Sequence, residues 1–301
     1  MRNKRVEIKS ILDFLNDRVI GIKGNLENQY IDNLAEVERV NETSLDWINP
    51  SKQNKQQIAE SSKARVLLVD DSVEFISGKL LIVVKNPKVA LAEIGNHFFV
   101  GKPIPGIHPT AIIDPEAVIG SNCHIGPYCV IGKAVIGNNC DIDSNVRIHD
   151  DVVLGHDCVI KAGTVLGGAG FGYERDENGN KFRFPQIGQL IMGDYVEVGA
   201  NSCIDRGALA DTIIGDYTKI NNLCHIAHNN KIGKNCSITG CVNVSGSNVI
   251  EDNVWLAPNV SVKGWVHIGE GAFVGMGAVV VKDIPAHETW VGNPAHKLEK
   301  K

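Results

Sequence analysis

Residues 213–240 read IIGDYTKINNLCHIAHNNKIGKNCSITG. Isoleucine returns at 214, 220, 226, 232 and 238, every sixth residue. An α-helix repeats every 3.6 residues and a strand every two, and neither gives six. The spacing continues through Val244, Ile250, Leu256, Val262, Ile268, Val274 and Val280, so twelve positions follow without a break. Upstream it holds at Met192, Val198 and Ile204, and again from Ile136 through Ile142, Ile148, Leu154 and Ile160 to Leu166. One residue out of step, it begins at Ile113, Ile119, Ile125 and Ile131. Glycine often follows the aliphatic residue, and Asn, Asp or Gly recurs about three residues later, types that accept the positive φ of tight turns.

A period of six implies a parallel β-helix of hexapeptides, each a short strand plus a turn. Three hexads close one triangular coil, so residues about 18 apart stack and the aliphatics fill a narrow interior. The composition agrees: of 301 residues 43% are hydrophobic but only 6% aromatic, and 31 are glycine. The net charge is -5 with no long basic run, which argues against a nucleic-acid partner. The longest apolar run, Leu80 to Val84, is too short to span a bilayer. The opening MRNKRVEIKS has no apolar stretch behind it, unlike a secretory signal. A cytoplasmic protein with reduced thiols is the expectation. The eight cysteines lack zinc-type paired spacing, so they are expected as small core residues with no metal.

One segment breaks the period. Residues 167–188, GGAGFGYERDENGNKFRFPQIG, are expected to leave the coil as a loop on one face and to help wall a site. Residues 1–105 lack the period and read as a small α+β domain. VEIKSILDFLNDR suits an amphipathic helix, ARVLLVDD and GKLLIVVKN suit buried strands, and PKVALAEIGNHFF suits a helix opened by proline. The solenoid is expected over 106–285, with a short tail at 286–301.

Three stretches carry a resemblance: GFGYERDENGNKFRFPQIG, IDRGALADTIIGDYTKINNLCHIAHNNKIG and LLIVVKNPKVALAEI. In the same order along nearly the whole chain, they resemble the UDP-3-O-(3-hydroxyacyl)glucosamine N-acyltransferases of lipid A biosynthesis, the LpxD family. The resemblance implies a left-handed β-helix working as a homotrimer, with uridine bound by the N-terminal domain and sugar acylated between neighbouring coils. It places the family's catalytic histidine at His228. A sugar ammonium must lose a proton to attack a thioester, and an imidazole, with an intrinsic pKa of about 6.5, is a suitable base. One coil above lies Gly246, whose N–H could stabilise the oxyanion. The resemblance further implies uracil binding by Trp47 and Asn49, and sugar contacts from Asn221, Asn222, His225, Phe171 and Tyr173.

The chain also departs from the family. Asn221 replaces an Asp, Trp265 stands where a second histidine is usual, and Lys52 replaces a Tyr near Asn49. The last stretch, GAFVGMGAVVVKDIPAHETWVGNPAHKLEKK, resembles the ends of sugar N-acetyltransferases that use acetyl-CoA. There Trp265, Gly275, Gly277, Lys282 and Asn293 would contact the donor, and no tightly bound cofactor is implied. This ending tips the reading toward acetyl-CoA or a short acyl-CoA as co-substrate. The alternative is the lipid A enzyme itself, with a 3-hydroxyacyl chain on acyl carrier protein. A zinc β-helix enzyme would need a third histidine to join His225 and His228, and a purely structural coil leaves the His228 motif unexplained.

Overall fold

The computed structural model describes residues 4–25, 29–35 and 37–298. The chain divides into two compact units, Met1–Lys102 and Pro103–Lys301. In the first, a five-stranded sheet combines one antiparallel pair, Val19–Lys23 against Leu80–Val84, with parallel pairs through Val66–Val69, Ser44–Trp47 and Asn33–Leu34. All residues of Val66–Val69 and Leu80–Val84 are buried, as their unbroken apolar runs require of central strands covered on both sides. Helix Ile8–Leu15 buries Ile8, Ile11 and Leu15 on one stripe. Helix Pro87–Ile94 opens with Pro87 at its start and the Asn86 side chain accepting from the Val89 N–H at 3.3 Å. It then tightens into a π-helical turn, Gly95–Phe99, instead of continuing to Phe99 as an α-helix.

The second unit is a left-handed parallel β-helix. Strands of two to four residues stack into three parallel sheets of eight, eleven and nine strands. The inner residues pair in the register that the period implies: Ile125 with Ile142, Ile214 with Ile232, Ile232 with Ile250. The early residue slip therefore becomes a shift along the chain and not a break in the stack. These inner side chains form one continuous core, each essentially without solvent exposure. Corner residues take positive φ at Asn229, Asn235, Asn253 and Asn259, among others, where Asn tolerates the left-handed region. Six cysteines fill core positions, but Cys203 and Cys241 are exposed because they occupy an outward strand position and a corner.

The coil is interrupted twice on one side. Residues 167–188 leave it as an antiparallel hairpin, Tyr173–Arg175 against Lys181–Arg183. A second, shorter excursion follows Asp205, so that Ile204 stacks on Ile226 across a longer interval than elsewhere. The two excursions hold each other. The Ile187 and Gly188 N–H groups both donate to the Ala208 carbonyl at 2.7 Å. Arg206 donates to the Gly188 carbonyl at 2.7 Å and to Asp151 Oδ2 at 2.8 Å. At the far end the parallel ladder runs on to Thr289–Val291, past the expected boundary at 285, and Trp290 closes the core at 7% exposure. Among the described residues no helix is long and apolar enough to cross a membrane.

Candidate active site

His228 lies at the corner that follows strand His225–Ile226. Its Nδ1 is 2.8 Å from Asn229 Oδ1. The orientation of the Asn229 amide is set by the backbone. Its Nδ2 donates to the Ala210 carbonyl at 2.9 Å, and its Oδ1 accepts from the Ala208 N–H at 3.1 Å. Asn229 Oδ1 is therefore an acceptor, so Nδ1 carries the proton and Nε2 presents a lone pair. Behind this corner two buried asparagines stack. Asn230 donates to the Ala227 and Ser245 carbonyls, and its Oδ1 accepts from the Asn248 N–H at 3.0 Å. Asn248 Oδ1 in turn accepts from the Val266 N–H at 2.8 Å. The corner is thus tied to two further coils, which restricts the imidazole to a narrow range of positions.

Two glycines frame the ring. A Cβ at Gly246 would lie 2.9 Å from His228 Cε1 and 3.0 Å from Nε2. A Cβ at Gly170, on the hairpin segment, would lie 2.7 Å from His228 Cδ2 and 2.9 Å from Gln186 Oε1. Only glycine permits so close an approach on each side. The Gly246 N–H has no acceptor among the described residues, which leaves it available beside Nε2. Gln186 Oε1 is buried with no hydrogen-bond partner, and it also lies next to the ring.

The ring opens on a cavity of about 790 Å³ whose walls include Phe171, Tyr173, Gln186, Leu209, Asn229 and Trp265. Phe171 and Trp265 are 79% and 85% exposed, so much apolar surface faces this space. Phe171 and Tyr173 meet edge to face at 5.0 Å. Asp205 approaches from the coil below. Its carboxylate is 3.9 Å from His225 Nε2. Burial pushes the Asp205 carboxyl above the usual carboxylate range, and the charges of His225 and His228 pull it partly back.

The structure brings His228, Gly246, Phe171, Tyr173 and Trp265 together, with His225 beside Asp205. It does not bring the remaining candidates of this unit to the same place. Asn221 and Asn222 line a separate cavity of about 440 Å³ with Lys161, Glu197, Lys219 and Trp255. A Cβ at Gly275 would meet Val291 at 2.7 Å, so Gly275 makes room for the last rung. Lys282 Nζ lies 5.0 Å from the Trp290 ring centroid, in cation–π contact. Gly277 occupies a corner at φ 68°, and Asn293 is exposed beyond the last rung. In the N-terminal unit Trp47 packs against the core while staying partly exposed, and Asn49 Oδ1 accepts from the Ser51 N–H at 3.0 Å. Among the described residues no group of three or more His, Cys, Asp or Glu is placed to hold a metal. Sequence reasoning missed Asp205, Gln186 and Asn229. Only Asn229 carried a signal, as the residue directly after the histidine.

The model of the bacterial transferase hexapeptide (six repeats) matches residues 133–168 and 249–282. A UDP-3-O-acylglucosamine N-acyltransferase of Caulobacter sp. (strain K31) is 43% identical over 148 residues, which is 49% of this chain and 43% of that protein. That of Methylobacterium nodulans is 43% identical over 49% of this chain and 42% of its own length. The chain belongs to the LpxD-like hexapeptide-repeat family. It spans less than half the length of these LpxD-like relatives. Among solved structures, the Francisella novicida UDP-N-acetylglucosamine acyltransferase matches with a TM-score of 0.59 at 28% identity, over 64% of this chain and 70% of that one. The Arabidopsis UDP-N-acetylglucosamine acyltransferase matches with a TM-score of 0.53 at 30% identity, over 64% and 73%.

Proposed function

We propose that the chain is an enzyme that transfers an acyl group from a thioester to the amine of a UDP-linked amino sugar. The observation that carries this is the Asn229-fixed imidazole of His228, its Nε2 lone pair facing a cavity with apolar walls. The amine attacks the thioester carbon while Nε2 takes a proton from it. The Gly246 N–H faces the developing oxyanion. The C–S bond then breaks, and His228 returns its proton to the leaving thiolate. The acceptor is of the UDP-3-O-acylglucosamine class, which the names of the relatives support.

On the donor, those names favour the lipid A reading, a 3-hydroxyacyl chain on acyl carrier protein, over acetyl-CoA. The C-terminal residues support the same choice. Gly275, Lys282 and Trp290 are engaged in closing the coil, so the resemblance of that stretch to CoA-binding ends loses its force. The apolar exposure of Phe171, Leu209 and Trp265 suits a long chain better than an acetyl group. A single outward histidine on a smooth face supports completion of the site by a neighbouring subunit in a homotrimer. In the N-terminal unit, Trp47 and Asn49 remain the residues proposed for uracil.

The test is donor choice. The purified chain is mixed with UDP-3-O-acylglucosamine and either a 3-hydroxyacyl carrier protein or an acyl-CoA series, and the product is read by mass spectrometry. An amide formed from the carrier protein supports the reading. Turnover with acetyl-CoA alone returns the choice to the acetyltransferase, and no amide with any donor overturns both.

A further inference from the structure

Acylating an ammonium releases two protons from nitrogen, and one histidine accounts for one of them. The balance is R–NH₃⁺ plus thioester giving amide, thiol and one free H⁺. The proton lost during attack passes through His228 to the leaving thiolate. The other must leave before attack, because a protonated amine has no lone pair to offer, and its destination is solvent.

Asp205 and His225 stand where such a proton would go. Asp205 sits one coil below, with 15% of its side-chain surface exposed, and is close enough that both His225 and His228 act on its charge. His225 leads outward: its side chain is 48% exposed, and its Nε2 is 3.9 Å from Asp205 Oδ2, a gap that one water or a small rotation closes. Among the described residues the other titratable neighbour acting with Asp205 is Cys203, on the same strand. Arg206 turns away to Gly188 and Asp151 and leaves the carboxylate unpaired. Neither member has another side-chain hydrogen bond among those described, so the pair has no evident structural task.

We propose that Asp205 and His225 form a proton exit that carries the first proton of the ammonium from the His228 site to solvent. The inference rests on the proposed N-acyl transfer. Asp205 takes the proton, His225 receives it at Nε2 and releases it to water, and no electron pair other than those of the N–H bonds changes hands. A carboxyl that burial has made more basic than usual suits the first acceptor.

The experiment is the pH dependence of kcat/KM for the amine acceptor in the intact chain, Asp205→Asn and His225→Gln. Amines of this kind titrate in the range of an α-amino group, about 7.7–8.0. Below that range the acceptor arrives protonated and needs the exit; above it the acceptor arrives as free amine. Asp205→Asn is expected to lose about tenfold or more near pH 6.5 and to approach the unmodified chain near pH 9. His225→Gln is expected to show the same trend with a smaller deficit. A loss that is uniform across pH marks a structural role and overturns the proposal, as does no loss at any pH. Inactivity of the unmodified chain with every donor would instead strike the proposed function, so the two failures are distinguishable.

Discussion

Replacing Gly246 by alanine adds one methyl group against the base. The new carbon would start 2.9 Å from His228 Cε1, 3.0 Å from Nε2 and 3.2 Å from the His228 carbonyl oxygen. Comfortable carbon contacts lie near 3.5–4.0 Å, so something must yield by roughly 0.5–1 Å. The carbonyl is held by the Ser247 N–H at 3.0 Å, which leaves the imidazole as the part that moves. It has little space, because Gly170 and Gln186 close its other edge. A displacement of about 1 Å at a reacting atom costs on the order of 10²-fold in rate. Gly246 is not among the positive-φ glycines, so alanine introduces no backbone strain, and the overpacking should cost at most about 1–3 kcal/mol of stability. The expected result is kcat lowered by about 10²-fold with acceptor KM little changed and a cooperative melt retained. The assay is steady-state acyl transfer alongside thermal unfolding. A kcat within about threefold of the unmodified chain would refute the reasoning, since the ring would then not be confined as described.

Further outcomes follow from the same packing. Ile226→Ala removes an interior side chain at 0% exposure, stacked between Ile204 and Val244, and should cost about 2–5 kcal/mol in urea unfolding; a cost below about 1 kcal/mol would contradict a close-packed coil. Trp290→Ala opens the end of the core and should cost about 3–5 kcal/mol, read as a lower unfolding midpoint; unchanged stability would return Trp290 to a binding role. Asp205→Asn should melt higher than the unmodified chain at neutral pH. The native carboxyl is raised above its unfolded value of about 3.9, so its contribution is complete below that value and is lost as pH rises through the native one. The advantage of the variant therefore shrinks on acidification, and a gap that grows toward low pH would show the sign to be wrong.

The coil was legible because its core has a single width. Each inner position repeats at six, and a residue slip only moves the count, as Ile125 stacked on Ile142 shows. His228 and the neighbouring Gly246 followed from the same stacking, since the His228 carbonyl accepts from Ser247 in the next coil. The excursions carry no period. Gln186 and Asp205 reach the site because Arg206 and the Ala208 carbonyl tie two loops together across distant positions, which no local pattern announces. Asn229 read as a corner residue, which it is at φ 61°, while its side chain also orients the base. The C-terminal stretch misled for a different reason. Its motif suggested a donor site, whereas the short alternation around Trp290 is that of a last rung with one apolar residue turned inward.

The central claim is that the Nε2 of His228 accepts the proton of a sugar amine during acyl transfer. Steady-state kinetics of His228→Ala with UDP-3-O-acylglucosamine and a 3-hydroxyacyl carrier protein test it most directly. The account predicts a fall in kcat of about 10²- to 10⁴-fold with acceptor KM nearly unchanged. A loss in kcat of less than about fivefold would contradict it.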